Sequence, residues 1–377
     1  MAVLGISLEP PFDPRSWSGS SKFFFDALRQ RGVLQDALQV QLSRPHERLL
    51  QLAALSWPRE RWRSRYNSSP ARFTALSARA QAEIRRRPQT RAVLQIGARL
   101  RCAGPARGLP PVFGYHDGNA ALRYRYYDQG LLSDRSRQDH LRWEGEVYGQ
   151  MRGIFVMSAW LADSFMKDFN VPADKLHVVG AGINFPTLPV VPQQDFAEPH
   201  FLFVGREFKR KGGEHLLAAF AEVRRALPRA RLSIVGPDAP GTPAPDGVQF
   251  AGFLSKSDPA QAQQLQQLFA QATAQVLPSV YEPFGISLLE GMAWGLPCIA
   301  SDRCAMPEIV EHGHTGLIAA AEHPPSLAAA MIELGRQPDL ARRMGQAGRQ
   351  RVERQFTWDA VAGRIQGVLR DQYRVCP

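Results

Sequence analysis

The sequence predicts an α/β protein made of two doubly wound domains. Over the first 180 residues, short apolar runs alternate with longer amphipathic stretches, a pattern typical of parallel strands covered by helices. The pattern stops in a proline-rich segment, 184–199, and then restarts. A chain of 377 residues is long enough for two or three domains, so both halves can bury a core of their own.

In the first half, short runs rich in apolar residues are interpreted as strands, and the periodic stretches between them as helices. The predicted strands are Val3–Ser7, Leu38–Leu42, Ala92–Ile96, Val112–Tyr115, Ile154–Met157 and His177–Val179. Helices are predicted at Ser20–Arg31, Pro70–Arg87 and Ala159–Phe169. This alternation indicates a parallel sheet.

The second half repeats the pattern without repeating the sequence. Strands are predicted at His200–Val204, Arg231–Val235, Gln275–Leu277 and Cys298–Ala300, with a further one before Gly252. Helices are predicted at Gly212–Leu227, Pro259–Ala272 and Phe284–Trp294. After Ala300 we expect helices only, the last from Trp358 to Tyr373.

The predicted domains are 1–183, 200–357 and a C-terminal helix at 358–377, with a linker at 184–199. Prolines disfavour regular structure in the linker because they remove backbone donors. Open α/β domains bind ligands at the carboxyl ends of their strands. Functional residues are therefore expected where strands pass into helices, facing a cleft between the two domains.

Composition excludes several classes of protein. The longest nearly apolar run, Gly153–Ala162, is about half of the ~20 residues that cross a bilayer, and no signal peptide is recognised, so we expect a cytoplasmic protein. The cysteines form no C-x-x-C pair, and neither a zinc site nor a disulfide framework is expected. They are Cys102, Cys298, Cys304 and Cys376.

The net charge of +11 comes entirely from the first third of the chain. Residues 1–110 hold 19 Arg and Lys against 7 Asp and Glu. Such a region attracts nucleic acid, anionic lipid or a phosphorylated acceptor. The alternative is a surface coated by a general preference for arginine, because 40 of the 46 basic residues are Arg.

One stretch of this region, Ser56–Phe73, interleaves cations with aromatic residues, as suits the headgroup region of an anionic membrane. The residues are Arg59, Arg61, Arg63 and Arg65 beside Trp57, Trp62 and Tyr66. This indicates peripheral contact with the inner face of a membrane. An exposed Arg-rich helix with partly buried aromatics is the alternative.

The most informative chemistry lies between Pro278 and Ser301. A strand ends at Pro278, a loop presents Glu282, and a helix begins near Phe284 with Glu290 in its second turn. The exposed amides and dipole of a helix N-terminus hold anions such as a diphosphate. Gly285 removes the side chain where such a ligand approaches. Alone, the two glutamates would only favour the first turns of the helix.

A cationic loop precedes this motif in the same predicted domain. A buried strand runs into Gly205 and Arg206, and Lys209, Arg210 and Lys211 follow before two glycines and a helix. Arg offers a planar fork of donors and Lys a movable charge, which together suit two linked phosphates. The loop is not a P-loop, since no G-x-x-x-x-G-K-[ST] is present.

The order of these motifs resembles the retaining nucleotide-sugar glycosyltransferases of family 4. The motifs are Gly205-Arg206 with Lys211-Gly-Gly, Gly252-Phe253, the E-P-F-G-x-x-x-L-E stretch from Glu282, Gly295–Pro297, and Glu308–Gly316. The match covers nearly all of the second predicted domain. It implies the GT-B fold: two Rossmann-like domains facing across a cleft, with a last helix that returns to the N-terminal domain.

The resemblance also implies roles for individual residues. Glu290 would accept hydrogen bonds from the ribose hydroxyls of the donor, and Glu282 with the amides of Phe284 and Gly285 would hold hydroxyls of the transferred sugar. Arg206 and Lys211 would bind the diphosphate and neutralise charge that grows as the glycosidic bond breaks. Further donor-binding residues are Gly205, Pro283, Ile286 and Ser287, and the loop of Gly252, Phe253 and Leu254 next to the base.

In the N-terminal domain the resemblance points to two places. Gly19, flanked by Ser18 and Ser20, matches a glycine-rich loop near the donor phosphates and the acceptor, although the family usually has two adjacent glycines there. His116, where a strand ends, would contact the donor sugar near the reacting centre. Asp117 would either orient the imidazole or bind the acceptor. With Arg206, Lys211 and Glu282, His116 completes the predicted catalytic set.

The sequence thus predicts an enzyme that moves a hexose from a nucleotide sugar, UDP- or GDP-linked, to a hydroxyl of a glycan, a lipid-linked acceptor or a small molecule, with retention of configuration. No metal or other cofactor is expected, because the cations and the helix dipole supply the positive charge. Two alternatives remain: a sugar-nucleotide-binding protein that has lost catalysis, and a nucleotide-sugar epimerase. No nucleic-acid motif is found, so nucleic acid is not expected as a partner.

Overall fold

The computed structural model describes residues 3–104, 108–127, 130–191, 196, 198–239 and 244–375. Cys376 and most of the central part of the predicted linker, 192–195 with 197, lie outside the described residues. The chain divides into two compact units, one of residues 1–180 with 358–377 and one of residues 181–357. Each unit contains one sheet and is described by itself.

The first unit is built around a parallel six-stranded sheet in the order β2-β1-β3-β4-β5-β6. The strands are β1 Val3–Ser7, β2 Leu34–Gln39, β3 Ala92–Ile96, β4 Val112–His116, β5 Gly153–Val156 and β6 Leu176–Val178. The helices are α1 Ser20–Gln30, α2 Arg44–Ala53, α3 Arg59–Asn67, α4 Pro70–Arg85, α5 Ala120–Tyr126, α6 Asp134–Gln150 and α7 Ala159–Phe169.

Both faces of this sheet are covered. On one face, α4, α6 and α7 pack their apolar sides on the strands, with Phe73, Tyr148 and Phe165 in the core. On the other face, Phe24 of α1 stacks on Tyr115 at a centroid distance of 4.3 Å. Strands buried on both faces have side chains that are nearly all apolar, as the sequence of β3 and β4 shows.

The second unit has its own parallel six-stranded sheet, in the order β12-β11-β10-β7-β8-β9. The strands are β7 His200–Val204, β8 Arg231–Val235, β9 Val248–Gly252, β10 Ala274–Leu277, β11 Cys298–Ser301 and β12 Gly316–Ala319. The helices are α8 Gly213–Ala226, α9 Pro259–Gln271, α10 Ile286–Ala293, α11 Met306–Ile309, α12 Pro324–Arg336 and α13 Pro338–Gln355.

The last helix, α14 (Trp358–Asp371), belongs to the first unit. Trp358 packs against Phe24 at 5.8 Å between ring centroids, and the guanidinium of Arg31 donates to Asp359 at 2.7 and 2.8 Å. The Arg364 Nε donates to the carbonyl of Val179 at 2.9 Å. These contacts fix the return of the chain to the N-terminal domain, which the predicted fold class included.

The predicted α/β class with two parallel sheets is confirmed, but two strand predictions were wrong. The second strand is not Leu38–Leu42; β2 starts at Leu34 and ends at Gln39, because its partner β1 ends at Ser7, opposite Gln39. The expectation of helices only after Ala300 was also wrong. Strand β12 pairs with β11, and Gly316 is needed there because a Cβ would lie 2.0 Å from the carbonyl oxygen of Cys298.

Candidate functional site

The predicted cationic loop and the predicted glutamate loop meet in the second unit. The Nζ of Lys211 donates to Oε2 of Glu282 at 2.6 Å, joining residues that are 71 positions apart. The glycine at position 205 makes this contact accessible, because a Cβ there would lie 2.2 Å from Cδ of Lys211. Lys211 therefore runs over the end of β7 to reach the loop that follows β10.

A second cation, Arg210, supports the same loop. Its Nη1 donates to the carbonyl of Tyr281 at 2.6 Å and lies 3.5 Å from Oε2 of Glu282. Burial by itself would raise the pKa of the Glu282 carboxyl. The charges of Lys211 and Arg210, with hydrogen bonds from Lys211 and from the amide of Gly285, outweigh burial and lower this pKa. Glu282 is therefore ionised at neutral pH.

Helix α10 begins directly beside this carboxylate. Gly285 precedes the helix with φ of 79°, a left-handed conformation that favours glycine. The hydroxyl of Ser287, in the first turn, is buried and has no hydrogen-bond partner within the described residues. Phe284 is buried and packs on Phe356 with ring centroids 6.3 Å apart. A helix N-terminus with an unsatisfied hydroxyl is suited to accept an anionic ligand.

Glu290, in the second turn of α10, is only 4% exposed and is already in an ion pair. The Nζ of Lys256 donates to its Oε1. Lys256 also lies over the ring of Phe185, at 4.9 Å from the centroid. A ligand that donates hydrogen bonds to this carboxylate must use its remaining oxygen or displace Lys256.

Arg206 does not join the Lys211–Glu282 pair in this structure. Its side chain is exposed, and its guanidinium lies 4.6 Å from the ring centroid of Phe253. Phe253 is half exposed, whereas its neighbour Leu254 is buried in the core of the unit. Gly252 adopts φ of 68°, and its carbonyl accepts from the amide of Gly236 at 2.8 Å. Arg206 thus covers the loop after β9.

These contacts lie at one edge of one sheet. Strands β10, β7, β8 and β9 are consecutive neighbours in the sheet, and the loops after each of them carry the residues described above. Pro283 and Ile286 flank the turn into α10 and are partly exposed there. The carboxyl edge of this sheet therefore combines four cations, two carboxylates and a helix N-terminus.

In the first unit, the loop that matches the family's glycine-rich loop is held in an unusual conformation. Trp17, Ser18 and Gly19 have φ of 47°, 55° and 94°, so three successive residues are left-handed and two of them are not glycine. The amide of Trp17 donates to Glu9 at 2.7 Å, and its indole Nε1 donates to Asp117 at 3.0 Å. Backbone strain of this kind persists only where surrounding contacts hold it.

The same contact places Asp117. Its Oδ2 accepts from the Trp17 indole, so this carboxylate supports the loop at the start of α1. Ser18 is exposed and Ser20 is buried in the first turn of α1. The sequence left open whether Asp117 orients His116 or binds acceptor. The structure shows a third role, in which Asp117 holds the loop of residues 17–19 in place.

His116 ends β4 but its ring faces the interior. The residue is 2% exposed, its ring lies 5.3 Å from that of Tyr148 and 5.4 Å from that of Phe165, and its Nε2 makes no hydrogen bond in the described part of the chain. Burial lowers the pKa of the imidazole to about 3, so the ring is neutral. A role at the donor sugar requires the ring to leave this position.

Two residues of these sites, Lys256 and Trp17, were missed by the sequence interpretation, and the role of a third, Arg210, was not foreseen. Lys256 lies 34 positions before Glu290 in a loop of ordinary polar residues, and no spacing marks it. Arg210 was noted as part of the cationic loop, but its support of Tyr281 and Glu282 was not foreseen. Trp17 adjoins the predicted Ser18-Gly19-Ser20 turn, and an aromatic residue beside a glycine loop is the one available signal.

The described residues contain neither a metal-binding cluster nor a membrane-spanning helix. No group of three or more His, Cys, Asp or Glu side chains in the described ranges is placed to hold a metal ion. None of the helices in that part of the chain has the length and apolar character needed to cross a bilayer. The prediction that no cofactor is needed stays a prediction.

Two parallel six-stranded sheets with flanking helices are the GT-B architecture, and the family model that matches the second unit is one of glycosyl transferases. Residues 191–351 match the family model "Glycosyl transferases group 1". This match lies within the second unit and covers 161 of the 377 residues, and the resemblance drawn from the motifs is confirmed. The protein is a nucleotide-sugar-dependent enzyme.

Relatives and solved structures agree with this family. The chain is 29% identical to a glycogen synthase of Mycobacterium tuberculosis over 301 residues, 72% of this chain and 71% of that protein. It is 31% identical to an alpha-maltose-1-phosphate synthase of Mycolicibacterium smegmatis over 250 residues, 58% of this chain and 62% of that protein.

Among solved structures, sucrose-phosphate synthase from Thermosynechococcus elongatus superimposes with a TM-score of 0.74 at 20% identity, covering 99% of both chains. Anabaena HepE, solved with UDP and glucose, gives a TM-score of 0.66 at 14% identity, covering 98% of this chain and 99% of that one. At these identities the superpositions show the GT-B fold alone.

Proposed function

We propose that the enzyme transfers a hexose from UDP- or GDP-sugar to a hydroxyl acceptor with retention of anomeric configuration. The observation that carries the proposal is the cluster at the N-terminus of α10, where Lys211 and Arg210 surround an ionised Glu282 next to the unsatisfied hydroxyl of Ser287. In the group 1 family this edge of the sheet is the expected place for the donor, and a related fold holds UDP and glucose.

The diphosphate of the donor would take the place that Glu282 now fills beside Lys211. Lysine carries a movable charge on a flexible stem, so Nζ can share its contact with a phosphate without moving the backbone. Arg210 would keep Glu282 compensated during this exchange. Arg206, exposed over Phe253, would swing onto the same phosphates.

The reaction then proceeds at the anomeric carbon. The bond from this carbon to the β-phosphate oxygen breaks, a bond to the acceptor oxygen forms, and the acceptor proton passes to a phosphate oxygen on the same face. The nucleoside diphosphate leaves. Lys211 and Arg206 stabilise charge that grows on the leaving phosphate, so their contacts strengthen in the transition state. No protein nucleophile and no metal enter this scheme.

The remaining predicted residues position the donor. Glu282 with the amides of Phe284 and Gly285 would hold sugar hydroxyls, and Glu290 would bind the ribose after Lys256 yields one of its contacts. The loop of Gly252–Leu254 would meet the base. His116 would approach the sugar after its ring turns out of the core, with the Gly19 loop, Ser18, Ser20 and Asp117 on the acceptor side.

We propose that the basic N-terminal domain contacts the inner face of an anionic membrane. The support is the charge excess of residues 1–110. A glycan, a lipid-linked hydroxyl or a small molecule would then serve as acceptor.

The test is to incubate the enzyme with a panel of UDP-, GDP- and ADP-sugars and to follow nucleotide release with and without a cell-extract acceptor, in the presence of EDTA. We expect release from one donor, increased by acceptor, and a product whose anomeric configuration by NMR equals that of the donor. Binding without release would identify a sugar-nucleotide-binding protein, and a changed sugar without acceptor would identify an epimerase. Either result contradicts the proposal.

A further inference from the structure

Helix α2 and the turn after it carry the largest group of exposed apolar side chains in the described chain. Leu49, Leu52, Leu55 and Trp57 are 66%, 62%, 61% and 86% exposed. They lie within nine residues, whereas the other large exposed apolar side chains of the described part are scattered. Four large exposed apolar side chains so close in the chain are typical of an interaction site.

The surroundings of this surface explain why it stays exposed. No residue of α2 itself is buried, although its apolar and polar residues are strongly segregated. Leu49 and Leu52 are three positions apart and share one helix face. Arg44, Pro45 and Arg48 line a shallow depression together with these two leucines. The apolar face of α2 therefore points to solvent, which is the reverse of an ordinary covering helix.

Helix α3 holds this element in place. The Trp62 indole donates to the carbonyl of Gln51 at 3.0 Å, and its ring stacks near Tyr66 with centroids 6.3 Å apart. The guanidinium of Arg72 lies 4.6 Å from the ring centroid of Tyr66. Of the aromatic residues predicted to face a membrane, Trp62 and Tyr66 are thus partly buried supports, and Trp57 remains exposed.

Charge surrounds the apolar side chains. Six arginines in the segment 44–65 are exposed, and the same segment contains two acidic residues, of which Glu47 faces Arg72 at 3.6 Å. The arginines are Arg44, Arg48, Arg59, Arg61, Arg63 and Arg65. Exposed leucines and an indole in a segment with six exposed arginines match the interface of an anionic bilayer, where apolar groups insert and cations meet lipid phosphates.

We propose that the α2 surface, defined as Leu49, Leu52, Leu55 and Trp57 with Arg44 and Arg48, is the docking surface for an anionic phospholipid bilayer. The proposal rests on the membrane contact proposed above and names the surface that makes it. The occupant is lipid and not a second copy, because a second copy would bring the same six arginines against themselves. Membrane docking places the enzyme where a lipid-linked acceptor is presented.

The test uses the full-length protein and vesicles of phosphatidylcholine with 30% phosphatidylglycerol (roughly a bacterial anionic content), without donor or acceptor. We expect co-sedimentation at low salt, weaker binding when salt is raised about fivefold, and none with pure phosphatidylcholine. Leu49→Ser, Leu52→Ser and Trp57→Ser together should reduce the vesicle partition coefficient about 100-fold or more. Arg44→Gln with Arg48→Gln should reduce it about 10- to 30-fold.

Matched controls use the same unit. Arg85→Gln with Arg91→Gln removes the same charge from exposed positions at the end of α4 and the start of β3, and Met166→Ser with Val178→Ser removes exposed apolar groups elsewhere. Both pairs should change vesicle binding less than about twofold, because neither lies on the docking surface. Circular dichroism should show that all variants keep the fold.

Nucleotide release measured without vesicles separates this proposal from the enzymatic one. The Leu49, Leu52 and Trp57 variant should keep the wild-type release rate, since none of these residues belongs to the proposed site. Absence of binding to anionic vesicles in low salt would overturn the proposal. So would equal losses in the docking-surface and control variants, or a dimer that dissociates in the triple variant.

Discussion

The carboxyl edges of the two sheets hold their predicted site residues in opposite ways. In the second unit, the carboxyl edge of the sheet holds Lys211 against Glu282 and Lys256 against Glu290, so charges stand in place before any donor arrives. In the first unit, the corresponding edge holds the neutral His116 among aromatic rings and a strained loop at Trp17. In the proposed mechanism, a donor bound to the second unit would exchange one ion pair for another. In the first unit, the His116 ring would have to leave the core to reach a ligand.

The difference teaches which part of the site is preorganised. Electrostatic stabilisation of a leaving phosphate is most effective where the cations are fixed in advance. The second unit meets that requirement. Gly205 leaves room for the side chain of Lys211, and Arg210 holds the loop after β10 through the carbonyl of Tyr281. We propose that the first unit carries the part that adapts to an acceptor.

The largest effect should come from the fixed cation. Lys211→Ala removes the charge nearest to Glu282, and we expect turnover to fall about 10- to 100-fold, because a charged hydrogen bond contributes ~1.5–3 kcal/mol. The measurement is kcat from nucleotide release at saturating donor. Lys209→Ala, an exposed cation two positions away, is the control and should change kcat less than about twofold.

The second ion pair, between Lys256 and Glu290, should contribute to the free energy of unfolding. Lys256→Met leaves the 4% exposed carboxylate of Glu290 without its cation, which should lower the free energy of unfolding of the second unit by about 1–3 kcal/mol. Urea unfolding measures it. Adding Glu290→Gln should recover most of the loss, because the uncompensated charge is then gone. Additive losses in the double variant would show that the pair does not couple.

In the first unit, we expect the free energy of unfolding to depend on pH through His116. The pKa of His116 is lowered by burial to about 3, against 6.5 in the unfolded chain, so the unfolded state binds the proton first as pH falls. Its contribution to stability is present above pH 6.5 and is lost progressively toward pH 3. At pH 5 the loss is about 2 kcal/mol relative to pH 7.5.

His116→Gln removes this titration. The stability difference between wild type and variant should therefore shrink by about 2 kcal/mol between pH 7.5 and pH 5. Hydrogen exchange of the amides in β4 and β5 measures this stability difference within the first unit, without a contribution from unfolding of the second unit. A constant difference across this range would mean that the imidazole is not buried in the folded protein.

The smallest effect on kcat is expected at Gly205, the glycine that leaves room for the Lys211 side chain. A Cβ at position 205 would lie 2.2 Å from the flexible Lys211 side chain, so Gly205→Ala should fold but displace Nζ from Glu282. We expect kcat to fall about tenfold or less, a part of the Lys211→Ala effect. Gly149→Ala, where a Cβ would meet nothing within 4 Å, is the control. A wild-type kcat in Gly205→Ala would show that the contribution of Lys211 to turnover does not depend on Gly205.

Prediction from sequence was most successful where local patterns carried the information. Strands such as β3 and β7 are continuous apolar runs, and their bounds were predicted as found. The residues of the donor motifs were identifiable because they lie where strands pass into helices. Short elements were harder: β12 has four residues and cannot be told from a buried helix segment by periodicity.

Pairings between distant loops were not predictable. Nothing in the spacing of Lys256 and Glu290, or of Trp17 and Asp117, indicates that they meet, because the contact depends on how the loops fold over the sheet edge. Helix α2, which the sequence analysis did not predict, shows a further limit. Segregated apolar side chains are typical of a helix face packed on a core, yet Leu49 and Leu52 are exposed.

The central claim is that the cations of the second unit form the nucleotide site. Calorimetric titration of UDP and of GDP into the wild-type enzyme in EDTA, and into Lys211→Ala and His116→Gln, tests it most directly. We expect one nucleotide to bind the wild type at one site, about tenfold or more weaker binding to Lys211→Ala, and binding to His116→Gln within about twofold of the wild type. Equal affinity of wild type and Lys211→Ala for the preferred nucleotide would contradict the account.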